Sequence, residues 1–330
     1  MTISRDTGAF GRFGKNNNHI INGGFRIAQR GTDFTPTASV RYELDRWEIY
    51  ASGGLTASTR MDADAGSIAV MPQAKYYMRV INSEASDNWR IRQPIEDVWT
   101  LSGKTVTLSC WVKGTVGLTL RTLITQHFGS GGTADIDIDV DFVDTVLSGG
   151  WEKITLTVDM PTVYDKTLDG NDDAIVIDFL MTDTDTGTLN LGEVQFIEGP
   201  EDTPYVYRLV EEELSLCQRY YEKSYAPATN PGADTQLGLS TFDFGAISGS
   251  TTRCVMTHST FAVRKRATPT IVFYSEDGLA DNVSLYNGKT TRVVVSTVTG
   301  GSDRIVCWYI ITADAVTECQ VAHWIADAEL

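Results

Sequence analysis

The sequence predicts an all-β protein: an N-terminal jelly-roll sandwich, a short connecting helix and a smaller C-terminal β-sandwich. Three observations carry this. Short runs of alternating apolar and polar residues recur along most of the chain, separated by glycine and aspartate turns such as Gly53-Gly54, Gly149-Gly150 and Asp169-Gly170. Gly, Thr, Ser and Asp are abundant, and helix-forming residues do not gather in long runs. One segment, "VEEELSLCQRYYEKSYAP", breaks the pattern with apolar residues at Val210, Leu214, Cys217 and Tyr221, the spacing of one helix face.

At 330 residues the chain exceeds the usual size of a single core, so two domains are expected. Residues 1–18, with "GAFGRFGKNNN", read as an extended arm. Arg5, Arg12 and Lys15 stand against Asp6 there, in a chain whose net charge is −16. Phe10, Arg12, Phe13 and Lys15 are the candidate anchoring residues, because aromatics and positive charge on an otherwise acidic chain suit a partner's groove.

From residue 19 to 208 the runs "YYMRVI", "WRIRQPI", "TVTLSCWVKG", "TLRTLITQHF", "ADIDIDVDFV", "WEKITLTVDM", "DAIVIDFLM" and "LNLGEVQFIEG" supply at least eight strands, enough for a jelly roll. The helix occupies 209–226. Glu211, Glu212 and Glu213 in its first turn suit the helix dipole, and Pro227 stops it. Its apolar face is expected to dock on a sheet or to meet symmetry-related copies. Residues 227–330 hold seven further runs, "TIVFYS" and "CQVAHWIADAEL" among them, for the second sandwich.

With 43 acidic against 27 basic residues and no basic stripe interleaved with aromatics, nucleic acid is not an expected partner. No apolar stretch is long enough for a transmembrane helix or a signal peptide, so membrane insertion is not expected either. The five cysteines are scattered and include no CxxC, which signals neither a disulfide framework nor a zinc site and suits assembly in a reducing cytoplasm. In "TVTLSCWVK", Cys110 shares the face of Val106, Leu108 and Val112 and reads as core.

Catalytic signatures are missing: no phosphate loop, GxGxxG after a strand, HExxH or GxSxG occurs, and the four histidines are dispersed. In "ADIDIDVDFVD" the aspartates at 135, 137, 139 and 141 share one face. They form either a solvated or blocking acidic edge or a cation site shared with another strand. Asp169, Asn171 and Asp173 open like a calcium loop, but Ala174 replaces the required glycine and no closing glutamate follows, so an ordinary turn is expected.

The candidate ligand-binding face comes from two strands. If Met78 and Val80 face inward, Tyr77 and Arg79 face out; if Trp89 and Ile91 face inward, Arg90 and Arg92 face out. Should the strands be neighbours, one sheet face carries a tyrosine and three arginines. Such a face would bind a glycan through ring stacking and hydroxyl contacts. The alternative is that the arginines neutralise adjacent acids.

"HIINGGFRIAQRG", "YELDRW", "IRQPIEDVWTLSGKTVTLSCWVKG", "WEKITLTVDMP" and "LGEVQFIEGPEDTPYVYRLVEEELSLCQRYYEKSY" together resemble bacteriophage tail-fibre or receptor-binding proteins with a carbohydrate-binding-module-like jelly roll, over residues 17–226. "FAVRKRATPTIVFYSEDG" and "ADAEL" extend the likeness more loosely. The resemblance implies a homotrimeric, non-catalytic virion component that meets host surface polysaccharide and other virion proteins. A structural virion protein without sugar binding, or a depolymerase, are its alternatives. It also implies a structural Ca2+ between the first-strand Asn22 region and Glu193, where related jelly rolls commonly carry aspartate. Trp99 stands where arginine is common in similar fibres.

Overall fold

The computed structural model describes residues 18–35, 40–51, 56–84, 89–138, 144–169, 172–181, 186–242, 253–285, 292–294, 302–312 and 320–330. Phe10, Arg12, Phe13 and Lys15 lie outside them. The N-terminal part comprises β1 (Arg41–Tyr42), β2 (Glu48–Ala51), β3 (Thr56–Asp62), α1 (Ala65–Val70), β4 (Tyr76–Asn82), β5 (Trp89–Glu96), β6 (Thr105–Gly114), β7 (Thr119–His127), β8 (Ile136–Asp137), β9 (Asp144–Val146), β10 (Glu152–Asp159), β11 (Ala174–Met181) and β12 (Gly187–Glu198). They form two antiparallel sheets. One is seven-stranded, in the order β1-β2-β5-β11-β7-β8 with β9 also on β7; the other is five-stranded, in the order β10-β6-β12-β4-β3. The fold is a β-sandwich of the jelly-roll kind.

Alternation explains the packing. Val106, Leu108, Cys110 and Val112 of β6 are fully buried and meet Ile91, Leu120, Ile177 and Phe179 of the opposite sheet in one apolar cluster. Each such side chain contributes about 1.5–3 kcal/mol on burial. Trp89 and Ile91 are core, as their period requires. Burial lifts the Cys110 thiol to about 12, so it behaves as a small apolar residue.

The helix is shorter than its periodicity indicates. α2 spans Val210–Gln218, and Tyr221–Lys223 already forms β13, paired with Ile325–Asp327. The ladder to the last strand, together with the buried Lys265–Glu222 pair, outweighs local helix preference there. α2 docks through Glu213 and Cys217 rather than through the whole apolar stripe, since Val210 remains exposed. Glu213 accepts the Asn22 N–H at 2.6 Å and an Arg208 N–H at 3.0 Å.

The remaining strands are β14 (Ser240–Phe242), β15 (Arg253–Thr260), β16 (Thr270–Tyr274), β17 (Asn282–Leu285), β18 (Arg292–Val294), β19 (Ile305–Thr312) and β20 (Gln320–Asp327). β20 pairs with β13, β14, β16 and β17, while β15 pairs with β19. Phe261, Phe273, Val283, Ala322, Trp324 and Ala326 form a second, smaller core. Among the described residues no helix is long and apolar enough to cross a membrane.

The two parts meet in a buried polar seam. The Arg46 guanidinium pairs with Glu329, donates to the Pro94 carbonyl and lies 3.5 Å from the Tyr220 ring centroid. Arg30 binds Asp327 at 2.7 Å and Glu329 at 3.1 Å. Gln29 donates twice to Asp45, each time at 2.6 Å, and once to the Tyr221 carbonyl at 2.9 Å.

Removing one partner of a buried pair strands the other charge. Glu329→Ala is therefore expected to lower the urea-unfolding free energy by about 3–5 kcal/mol. Glu198→Ala, which breaks the exposed Lys104 pair, should cost no more than about 1 kcal/mol. Equal effects of the two substitutions would contradict this account of the seam.

Candidate functional site

Two of the four candidate glycan-binding residues share a surface; the other two are elsewhere. β4 lies in the five-stranded sheet and β5 in the seven-stranded one, so Tyr77 and Arg79 are on the opposite side of the sandwich from Arg90 and Arg92. The alternation within each strand holds, but the strands are not neighbours. Tyr77 is moreover buried, packed edge-on against Trp151 at 5.3 Å between centroids. Arg79 donates to Asn190 at 2.9 Å and to the Tyr77 hydroxyl at 3.2 Å, so two of its N–H groups are used within its own sheet.

Arg90 and Arg92 line a groove of about 460 Å³ on the outer face of the seven-stranded sheet. The registers place its residues in rows. Glu48, Arg92, Asp178 and Leu123 form one row across β2, β5, β11 and β7. Pro94, Val176, Thr125 and Asp137 form the next, and Ala174 and His127 sit beyond them. The centre is therefore an apolar strip of Pro94, Val176 and Leu123 bordered by charged and hydroxyl groups. Leu330 closes one end, its carbonyl accepting the Tyr42 hydroxyl at 3.0 Å.

The polar groups are held by neighbours. Arg92 donates to Glu48 at 2.8 Å and Arg90 to Asp178 at 3.1 Å, so these arginines do neutralise adjacent acids. Thr125 donates to Asp137 at 2.7 Å, and His127 Nδ1 lies 2.8 Å from Asp135. Asp178 Oδ1 and Arg90 Nε have no hydrogen-bond partner among the described residues, leaving an acceptor and a donor unused beneath the groove. Burial lifts the Asp178 carboxyl to about 6, against the pull of Arg90 and Arg92. Five carboxylates face two arginines, which favours a neutral, hydroxyl-rich ligand over an anionic one.

Sequence reasoning missed Leu123, Thr125, Val176 and Asp178. One signal was available: Asp178 is a lone charge inside the apolar run "AIVIDFLM". The aspartate-rich stretch contributes Asp135 and Asp137 to the groove edge, while 139–143 lie outside the described residues. Asp169 accepts the Gly131 N–H and Asp173 the Val98 N–H, while Asn171 lies outside the described residues.

The residues present do not fit a calcium ion at the expected place. Asn22 Oδ1 accepts the Ile27 N–H at 3.0 Å, and its amide donates to the Ile27 and Asp45 carbonyls. Glu193 accepts the Tyr207 hydroxyl at 3.0 Å and faces a cavity on the outer side of the five-stranded sheet. The two side chains share no hydrogen-bond partner, and no group of three or more acidic, histidine or cysteine ligands occurs among the described residues.

No protein-family model matches the chain, and no curated protein matches it. Among solved structures it is similar to the enzymatically active domain of tailspike protein 4 of bacteriophage CBA120, at 14% identity and a TM-score of 0.36 over 56% of this chain. The matched region spans 22% of that tailspike chain. It is similar to a family 11 carbohydrate-binding module from Clostridium thermocellum in complex with a β-1,3-1,4-mixed-linked tetrasaccharide (13% identity, TM-score 0.33, 52% of this chain and 99% of that one). A third is the N-terminal cellulose-binding domain of Cellulomonas fimi β-1,4-glucanase C, at 17% identity and a TM-score of 0.32 over 47% of this chain and 90% of that one.

The raised Asp178 value fixes the sign of a pH effect. Its folded-state value of about 6 lies above the ordinary 3.8, so the folded protein holds this proton more tightly than the unfolded chain. Stability from this group is present below pH 3.8 and is lost as pH rises through about 6. Wild type should therefore lose stability relative to Asp178→Asn across that window, measured by urea unfolding at a series of pH values. A pH-independent difference between the two proteins would refute the assignment.

Proposed function

We propose that this chain is a non-catalytic carbohydrate-binding component of a bacteriophage virion. On this reading the groove over β5, β11 and β7 holds a segment of neutral host-surface polysaccharide. The carrying observation is the groove itself: an apolar strip of Pro94, Val176 and Leu123 between rows of fixed donors and acceptors. Sugar rings present C–H faces and hydroxyl edges, and this arrangement offers each its partner. Arg92 and Thr125, oriented by Glu48 and Asp137, supply the hydroxyl contacts.

The virion role is supported by the sequence resemblance to tail fibres and receptor-binding proteins. The homotrimer belongs to the same proposal. Exposed Leu209 and Val210 at the start of α2 offer apolar surface for contact between copies. Light scattering at micromolar concentration should give a mass of three chains; a monomer would count against assembly through this region.

Glycan binding is tested with purified host polysaccharide and isothermal calorimetry. Val176→Trp, which fills the groove centre, is expected to weaken binding at least tenfold, and Arg92→Ala by about 1 kcal/mol, roughly fivefold. Tyr77→Ala should leave binding unchanged but cost about 2–4 kcal/mol of stability, because that ring is buried. Undiminished binding by Val176→Trp would exclude the groove, and release of new reducing ends from the polysaccharide would overturn the non-catalytic assignment.

A further inference from the structure

A second cavity, of about 240 Å³, lies on the outer face of the five-stranded sheet, on the far side of the sandwich from the groove. Strand register builds its floor. Trp111 of β6 is flanked by Lys153 of β10 on one side and by Gly192 of β12 on the other. Gly192 brings no side chain across the indole, and a Cβ there would stand 2.6 Å from the Met71 sulfur after α1. The indole is half-buried, with open space beside it.

The wall is made by a break in the β12 ladder. Register shifts between Gly192 and Gln195, and Glu193 adopts φ 45°, the left-handed region that non-glycine residues rarely occupy. A bulge of this kind re-aims a side chain at the cost of local backbone strain. Here it turns Glu193 into the cavity, where the Tyr207 hydroxyl fixes one carboxylate oxygen at 3.0 Å. The roof is the segment carrying Tyr205, tied down by Gln195, which donates to the Thr203 carbonyl at 2.6 Å. Lys153 is held by Asp202 at the rim.

An aromatic floor, a fixed carboxylate, a positioned ammonium and the Ser109 hydroxyl thus converge on a space the size of one sugar ring. We propose that this pocket is a second carbohydrate site, which takes a single pyranose with its C–H face on Trp111 and adjacent hydroxyls on Glu193. A carboxylate accepts from two neighbouring hydroxyls at once, while Lys153 donates and Ser109 does either. The indole face favours the polarised C–H bonds of the ring. The pocket differs from the groove in kind: it suits a terminal or branching residue, whereas the groove suits a chain segment. Its existence does not rest on the groove's function.

The test uses the full chain and saturation-transfer NMR with the methyl glycosides of glucose, galactose, mannose, rhamnose and N-acetylglucosamine. At least one should bind wild type. Its affinity should fall at least tenfold in Glu193→Gln, which keeps side-chain size and an acceptor for Tyr207, and also in Trp111→Ala. Val176→Trp, which fills the groove, should leave it unchanged. The proposal is overturned if no glycoside binds wild type, if Glu193→Gln binds as well as wild type, or if Val176→Trp abolishes binding. Polysaccharide binding that survives Glu193→Gln but not Val176→Trp assigns that activity to the groove separately, so the two sites stand or fall apart.

Discussion

The structure depends on a buried guanidinium. Arg46 is 1% exposed, carries a positive φ in a tight turn and joins four segments: its own turn, the Pro94 carbonyl of β5, the Tyr220 ring after α2, and Glu329 in the C-terminal tail. A buried charge is tolerable when it is paired and most of its N–H groups are used. Nη1 and Nη2 of Arg46 bind Glu329 and Pro94, while its Nε has no partner among the described residues, so these segments hold one another in place. Arg30, Asp45 and Gln29 extend the network, and Asp45 itself is raised above its ordinary carboxyl value by burial. The seam couples the tail to the sandwich and places Leu330 at the end of the groove.

This seam also explains what the most recognisable sequence segments do. "RIAQRG" supplies Gln29 and Arg30, "YELDRW" supplies Asp45 and Arg46, "CQRYYEKS" supplies Tyr220 and Tyr221, and "ADAEL" supplies Glu329. Far apart in the chain, they meet in one network. The helix α2 belongs to the same network: Glu213 accepts the Asn22 backbone N–H and Cys217 is buried beside it, closing the end of the sandwich. Asn22, a metal candidate from sequence, is used up in holding its own turn against Asp45.

The two outer faces of the sandwich differ in chemistry because their strands differ in what alternates with the core. On the seven-stranded side, outward positions hold arginine, acid and aliphatic residues and make an open groove. On the five-stranded side, Trp111 and a bulged Glu193 make a compact pocket. Both surfaces rest on one shared core, so a ligand on either face meets a rigid floor.

The sequence by itself did not determine β1, β2, β3 or α1, but it did determine most of the longer strands, their inward faces and the existence of α2. These follow from period 2 and period 3.6, which are properties of consecutive residues. Cys110, Trp89 and Ile91 went inward for that reason alone. Tertiary structure decided which strands are neighbours, and so which outward residues share a surface. Tyr77 and Arg79 parted from Arg90 and Arg92 because β4 pairs with β3 and β12, while β5 pairs with β2 and β11. Pairing over such distances leaves no local trace in a single strand. The end of α2 at Gln218 was decided in the same way, by hydrogen bonds to a strand a hundred residues later. The bulge at Glu193 was equally hidden: a break in register is a relation between two strands, and only the folded chain contains both.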